Sequence, residues 1–105
     1  MTETTINRIR QFVADRDWGQ YHSPANLAKS ISIEANELLE CFQWNDEYNK
    51  EEVCKELADV VNYAILLADK LNVSLEDIVM KKLEESSKKY PIEKSKGKST
   101  KYTKL

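Results

Sequence analysis

Apolar residues recur along this chain at spacings of three and four, which is typical of helices that each bury one face. The pattern predicts four helices, over residues 3–15, 24–44, 50–71 and 75–89. Ser23 followed by Pro24, Asn49 and Ser74 are well placed to cap the last three at their N-termini. Because short connections favour antiparallel neighbours, we expect an all-α fold, a compact antiparallel bundle of about four helices.

The chain has 105 residues, 41% of them hydrophobic, with two glycines and two prolines, which leaves room for one small helical domain. We expect this domain to span residues 1–91. Residues 92–105 are rich in lysine, and local propensity predicts no regular structure for them. Their charge leaves two alternatives: a solvated arm, or an arm ordered over bound phosphate at its own active site or that of a neighbouring subunit. A core this small is marginally stable alone, so we expect an oligomer with its active site at the packed helices.

The net charge of −2 is unevenly divided. Residues 1–80 carry seven basic and fifteen acidic side chains, whereas residues 81–105 carry nine basic and three acidic ones. An acidic body with one basic tail argues against nucleic acid as the partner.

No apolar run reaches the roughly 20 residues that span a bilayer, and Cys41 and Cys54 have no metal-ligand spacing. We therefore expect a cytoplasmic protein without a membrane partner.

Two pairs of acidic residues lie within apolar helical stretches: Glu34 with Glu37, and Glu56 with Asp59. At 100° per residue each pair points the same way as the apolar face of its helix. A buried, unpaired carboxylate costs several kcal/mol, and no Lys or Arg interrupts either face. The four carboxylates therefore predict a bound cation. Glu40 lies off this face and is either a further ligand or a surface residue.

An all-oxygen site suits Mg²⁺, with Mn²⁺ as the alternative, and Mg²⁺ keeps positions open for phosphate. The sequence lacks a glycine-rich phosphate loop, which argues against a kinase or P-loop NTPase. The candidate substrate-binding residues are aromatic side chains that could contact the face or edge of a base, and one lysine that could reach phosphate. They are Trp18, His22, Trp44, Tyr63 and Lys82. Each also has an ordinary structural explanation, as do acidic pairs on solvated helix faces.

Together these residues resemble the MazG-like all-α nucleoside triphosphate pyrophosphohydrolases, and most closely the dCTP pyrophosphatase branch. Five segments carry the resemblance: Arg16–His22, Glu34–Trp44, Glu56–Val60, Tyr90–Pro91 and Lys101–Thr103. The similarity runs nearly from end to end. Ser86 stands where the family often has asparagine, and Asn36 stands where close relatives often have glycine.

The resemblance implies a homodimer or homotetramer that hydrolyses a nucleoside triphosphate to the monophosphate and pyrophosphate, in a nucleotide-pool house-cleaning role. It implies that Glu34, Glu37, Glu56 and Asp59 hold Mg²⁺, and that the basic tail lies near phosphates. We expect water, positioned by Glu37 as the catalytic residue, to attack the α-phosphorus. Two alternatives stay open: a nonenzymatic helical interaction module, and a regulator that binds nucleotide without turnover.

Overall fold

A computed structural model describes all 105 residues, Met1–Leu105, and contains helices and no strands. The five α-helices are α1 (Glu3–Asp15), α2 (Pro24–Glu40), α3 (Lys50–Lys70), α4 (Leu75–Lys89) and α5 (Ile92–Ser95). Short 3-10 helices span Trp18–Tyr21 and Tyr102–Lys104. The predicted all-α class with four substantial helices is confirmed. None of the helices combines the length and the apolarity that crossing a bilayer requires.

The helix starts follow from capping side chains. Thr2, Ser23, Asn49 and Ser74 each accept a hydrogen bond from the backbone N–H three residues later, at the starts of α1 to α4. These bonds satisfy a donor that has no partner inside the helix. The three caps predicted from the sequence are thus confirmed.

Residues Met1–Asn72 form one compact unit, in which α2 and α3 make the main helix pair. Its buried side chains are Leu27, Ile65 and Ala68, of which Leu27 is fully buried. Cys41, at the end of α2, lies near Glu52 and Glu56, whereas Glu34, earlier in α2, lies near Glu56 and Asp59. The end of α2 therefore lies beside the start of α3, and the two helices run antiparallel. Helix α1 is tied to α3 by a bidentate ion pair, in which the Arg10 guanidinium donates to both Asp69 carboxylate oxygens at 2.8 Å.

Helix α2 ends at Glu40, and the prediction that it continues to about Trp44 is wrong. After Glu40 the backbone tightens: the N–H groups of Phe42 and Gln43 donate to carbonyls three residues back, those of Leu39 and Glu40. The chain then leaves the helix axis. A tight last turn of this type is common at helix C-termini, and apolar spacing does not reveal it.

Residues Val73–Leu105 form a second compact unit, built on α4. Local propensity alone is misleading after Pro91, because α5 and the 3-10 helix at Tyr102–Lys104 lie there, in line with the ordered tail that the resemblance at Lys101–Thr103 favours. The Tyr90 hydroxyl accepts a hydrogen bond from the Tyr102 N–H at 3.2 Å, and the two rings pack edge to face. The Lys89 ammonium lies 4.7 Å from the centre of the Tyr102 ring. These contacts between distant residues override local propensity.

Candidate active site

Three carboxylates from the two central helices converge. One carboxylate oxygen from each of Glu34, Glu56 and Asp59 lies within 4.8 Å of the other two. The antiparallel packing of α2 and α3 brings Glu34 on one helix to the level of Glu56 and Asp59 on the other. We call Glu34, Glu56 and Asp59 the acidic cluster.

Oxygen atoms of the acidic cluster lack partners. Glu34 Oε2 and Glu56 Oε2 are both buried and have no hydrogen-bond partner. Burying an unpaired carboxylate oxygen costs free energy that a cation recovers. The donor set consists of oxygen atoms alone, which suits Mg²⁺ or Mn²⁺ better than zinc. These residues therefore fit a hard divalent cation.

Burial and neighbouring charges raise the pKa values of two members of the acidic cluster, Glu34 and Glu56. Burial raises the pKa of Glu34 to about 7, helped by the side chain and charge of Glu37 and by the charges of Asp59 and Glu56. Burial, Glu37, Asp59 and Glu40 raise the pKa of Glu56. A bound cation reverses this effect, because it favours the ionised carboxylates.

Glu37 and Glu40 lie at the edge of the acidic cluster. Both side chains are exposed on α2. Glu37 acts on the pKa of both Glu34 and Glu56, so it lies beside them, but it is outside the group of oxygens within 4.8 Å. Glu40 influences Glu56 alone among these acids. The role of Glu37 as ligand and catalytic residue stays a prediction.

A cavity of about 320 Å³ opens beside the acidic cluster. Asp59 belongs to both the cluster and the cavity wall. The wall comes from α1, the 3-10 helix and α3, and its residues are Ile9, Phe12, Val13, Trp18, His22, Asp59, Asn62, Tyr63 and Leu66. An aromatic and apolar cavity with a few polar groups is the usual form of a small-molecule site.

Aromatic pairs shape this cavity. The rings of Phe12 and Trp18 meet edge to face with centroids 5.7 Å apart, and those of His22 and Tyr63 do so at 6.5 Å. The Arg16 guanidinium covers the Phe12 ring at 3.7 Å. Asp17 adopts a left-handed backbone conformation, with φ of 53°, immediately before the 3-10 helix that carries Trp18. This sharp turn brings an aromatic loop against α1 and α3.

Two candidate substrate-binding residues lie outside the cavity wall. Trp44 is on the connection after α2, and its side chain is 86% exposed. Lys82 is on α4, where its ammonium pairs with Glu85 at 3.3 Å. Both assignments stay predictions.

Ile9, Phe12 and Val13 lie on the apolar face that helical spacing predicts for residues 3–15, whereas Asn62 and Leu66 are not among the residues that the sequence singles out. The available signal was helical spacing, because Asn62 and Leu66 follow Asp59 by three and seven residues and therefore lie on the same side of α3. No sequence pattern indicated that α1 would form part of the cavity wall, since this depends on how α1 packs against α3.

We expect the cation-free protein to lose stability as pH rises from about 5 to about 8. The folded-state pKa of Glu34 is about 7, above its ordinary value of 4.5, so the stability linked to its protonation is complete below 4.5 and is lost as pH passes 7. The raised pKa of Glu56 acts in the same direction. Thermal unfolding in EDTA across this range measures the effect, at about 4–8 °C per kcal/mol.

Glu34→Gln is the control for this pH dependence, because it removes the carboxyl group whose pKa is raised to about 7. The slope of melting temperature against pH should be smaller in this variant. The lowered pKa of Glu85 acts below 4.5, outside the window. A wild-type melting temperature that is flat or rises from pH 5 to 8 would contradict the prediction.

Comparison with known proteins agrees with this geometry. Residues 29–105 match the MazG-like family. The chain is 36% identical to dCTP pyrophosphatase 1 of Mus musculus over 117 aligned positions, which cover 98% of this chain and 69% of the mouse protein. It is 33% identical to dCTP pyrophosphatase 1 of Homo sapiens, with the same coverage.

A solved structure is also similar. The crystal structure of a pyrophosphatase from Archaeoglobus fulgidus superposes with a TM-score of 0.80 at 40% identity, covering 85% of this chain and 91% of the archaeal one. The match therefore extends from the sequence to the helical architecture that brings the acidic cluster together. The chain belongs to the MazG-like family.

Proposed function

We propose that this chain cleaves deoxynucleoside triphosphates such as dCTP to the monophosphate and pyrophosphate, with Mg²⁺ as cofactor. Its similarity to dCTP pyrophosphatases and to a solved pyrophosphatase makes it a nucleoside triphosphate pyrophosphohydrolase. One observation supports this most directly: buried, unpartnered carboxylate oxygens lie beside an aromatic cavity. The first feature fits a cation that binds phosphates, and the second fits a base. Removal of unwanted nucleotides is the biological role we propose.

The acidic cluster would hold the cation through Glu34, Glu56 and Asp59, with Glu37 as a further ligand or neighbour. Bound Mg²⁺ supplies positive charge that polarises phosphate oxygens and offsets the charge of the departing pyrophosphate. Glu37 is exposed at the edge of the cluster, where water can reach it. We assign it the role of positioning the attacking water and accepting its proton as the α–β phosphoanhydride bond breaks.

The cavity would receive the base. Trp18, His22 and Tyr63 supply aromatic faces and edges, which hold a planar ring by stacking and exclude water. For Trp44, Lys82 and the basic tail at residues 92–105, we propose substrate contacts made in the assembled oligomer. A tail that covers an active site, its own or that of a neighbouring subunit, completes the proposed domain organisation.

We propose a homodimer or homotetramer in the cytoplasm. Support for assembly comes from the small core of the single chain. Leu27, Ile65 and Ala68 are its buried hydrophobic residues, and α4 has no buried residue. Support for the compartment comes from Cys41 and Cys54, which are both free, as is usual where thiols are kept reduced.

The decisive experiment incubates the purified protein with canonical and modified dNTPs, with and without Mg²⁺, and identifies products by chromatography. We expect monophosphate and pyrophosphate in the presence of Mg²⁺ and none in EDTA. Glu37→Gln should lower kcat by about 10²-fold or more, because it removes a group that acts on the attacking water. Glu84→Gln changes an exposed carboxylate outside the acidic cluster and should keep wild-type turnover.

Two results would overturn the proposal. Hydrolysis of no nucleotide, combined with tight nucleotide binding, would indicate a regulator. Neither hydrolysis nor binding would indicate an interaction module. If Glu37→Gln kept wild-type turnover while EDTA abolished it, the reaction would stand and the role of Glu37 would be wrong.

A further inference from the structure

Asn62 is the only amide in the cavity wall. It lies on α3 one turn after Asp59 and directly before Tyr63. The Asn26 and Asn36 amides donate to backbone carbonyls at 3.0 and 2.9 Å, whereas the Asn62 side chain is exposed and makes no hydrogen bond within the protein. Asn62 therefore offers a free donor and a free acceptor to whatever occupies the cavity.

The order of residues along α3 gives the cavity a direction. With a rise of 1.5 Å per residue, Asn62 lies about 4.5 Å and Leu66 about 10 Å along the helix axis from Asp59. A nucleotide whose phosphates meet the acidic cluster at Asp59 would extend its sugar and base along this wall. The base would then lie beside Asn62, between the apolar residues of α1 and Leu66.

The charge of Asp59 would favour one orientation of the Asn62 amide, although no hydrogen bond joins the two side chains in the structure. Residues three apart on a helix are neighbours, so a substrate-bound site would favour the orientation in which the Asn62 NH₂ group turns toward the Asp59 carboxylate. In that orientation Oδ1 would face the far end of the cavity. An acceptor at this point matches an exocyclic amino group on the base and opposes a carbonyl oxygen, which is also an acceptor.

We propose that Asn62 is a specificity-determining residue, whose Oδ1 accepts a hydrogen bond from the 4-amino group of cytosine. This inference rests on the proposed function. The exposed Asn62 side chain is hydrated in the free protein, so a base that displaces this water without supplying a matching donor leaves Oδ1 unpaired and binds less tightly. Asn62 thereby distinguishes cytosine from uracil and thymine, which carry a 4-oxo group.

The test removes each partner of this hydrogen bond separately and then both together. One substrate is dCTP, and the other is its analogue with hydrogen in place of the 4-amino group. For the wild-type protein, kcat/KM should fall about tenfold or more on loss of the amino group. For Asn62→Leu, the two substrates should agree within about twofold, because the two deletions remove the same interaction.

Two further variants serve as controls. Asn7→Leu makes the same change at an exposed position on α1 outside the cavity, and it should keep the wild-type difference between the substrates. Asn62→Asp keeps an acceptor oxygen, so it should retain the preference for the amino-bearing substrate while its added charge lowers both kcat/KM values. It also provides a readout should Asn62→Leu fold poorly.

The outcomes separate this inference from the proposed function. A tenfold difference that persists in Asn62→Leu would overturn the role of Asn62 while leaving the reaction intact, as would loss of the preference in Asn62→Asp. Wild-type protein that hydrolyses other dNTPs but not dCTP would overturn it in the same way. Hydrolysis of no nucleotide would overturn both.

Discussion

Glu56→Gln is expected to lower kcat/KM for nucleotide hydrolysis by on the order of 10²–10³-fold and, in EDTA, to raise the melting temperature. The loss of activity follows if Glu56 helps to hold the cation, because glutamine keeps the shape of the side chain but not its charge. The gain in stability follows from the electrostatics of the acidic cluster. Burial and the nearby charges of Glu37, Asp59 and Glu40 disfavour an ionised Glu56, and the substitution removes that cost.

Two measurements test this pair of opposite effects. Pyrophosphate release gives kcat/KM, and thermal unfolding in EDTA and in Mg²⁺ gives stability. Mg²⁺ should raise the melting temperature of the wild-type protein, because a ligand bound only by the folded state stabilises it, and should raise that of Glu56→Gln much less.

Glu51→Gln is the matched control on the same helix. Glu51 is exposed and pairs only with Lys55, at 3.6 Å, so its loss should change stability by less than about 1 kcal/mol and leave turnover unchanged. A Glu56→Gln protein that is less stable than wild type in EDTA would contradict the charge repulsion. Wild-type turnover by this variant would remove Glu56 from the cation site.

The helices and the acidic cluster were predictable because their determinants are local. Ser23, Asn49 and Ser74 mark helix starts through bonds to residues three positions away, and apolar spacing marks the buried faces. Once α2 and α3 are antiparallel neighbours, acids at the same level on their facing sides can meet. Glu34, Glu56 and Asp59 do so.

The cavity and the C-terminal segment depend on contacts between residues far apart in sequence. Phe12 lines the cavity because α1 is held against α3, partly through Arg10 and Asp69, and no local pattern encodes that contact. The structured segment after Pro91 likewise depends on Tyr90 meeting Tyr102. Local propensity described these residues as unstructured because it carries no information on such pairs.

Leu83→Glu is expected to dissociate the proposed oligomer and to lower its stability. Helix α4 has no buried residue, although Leu75, Ile78, Val79 and Leu83 follow the spacing of an apolar face. The Leu83 side chain is 56% exposed. An apolar helix face that is uncovered in a single chain is typical of a surface that a neighbouring subunit covers.

The expected magnitude follows from burial. Covering a leucine contributes about 1.5–3 kcal/mol, and placing a glutamate there adds a cost of desolvation. In a twofold-symmetric interface the change occurs twice, so the dissociation constant should rise by about 10²-fold or more. Sedimentation velocity over a range of protein concentrations measures this shift directly. The melting temperature of the wild-type protein should rise with protein concentration, whereas that of a variant dissociated into folded single chains should not.

Lys81→Glu is the control, because residue 81 lies about 200° around α4 from Leu83 and therefore on its opposite side. It introduces the same glutamate on the same helix, and we expect the assembly to persist. If Leu83→Glu kept the wild-type sedimentation coefficient at every concentration, α4 would not form the interface. If the wild-type protein itself sedimented as a single chain, its exposed apolar side chains would need another partner, and a substrate site completed by a neighbouring subunit would be ruled out.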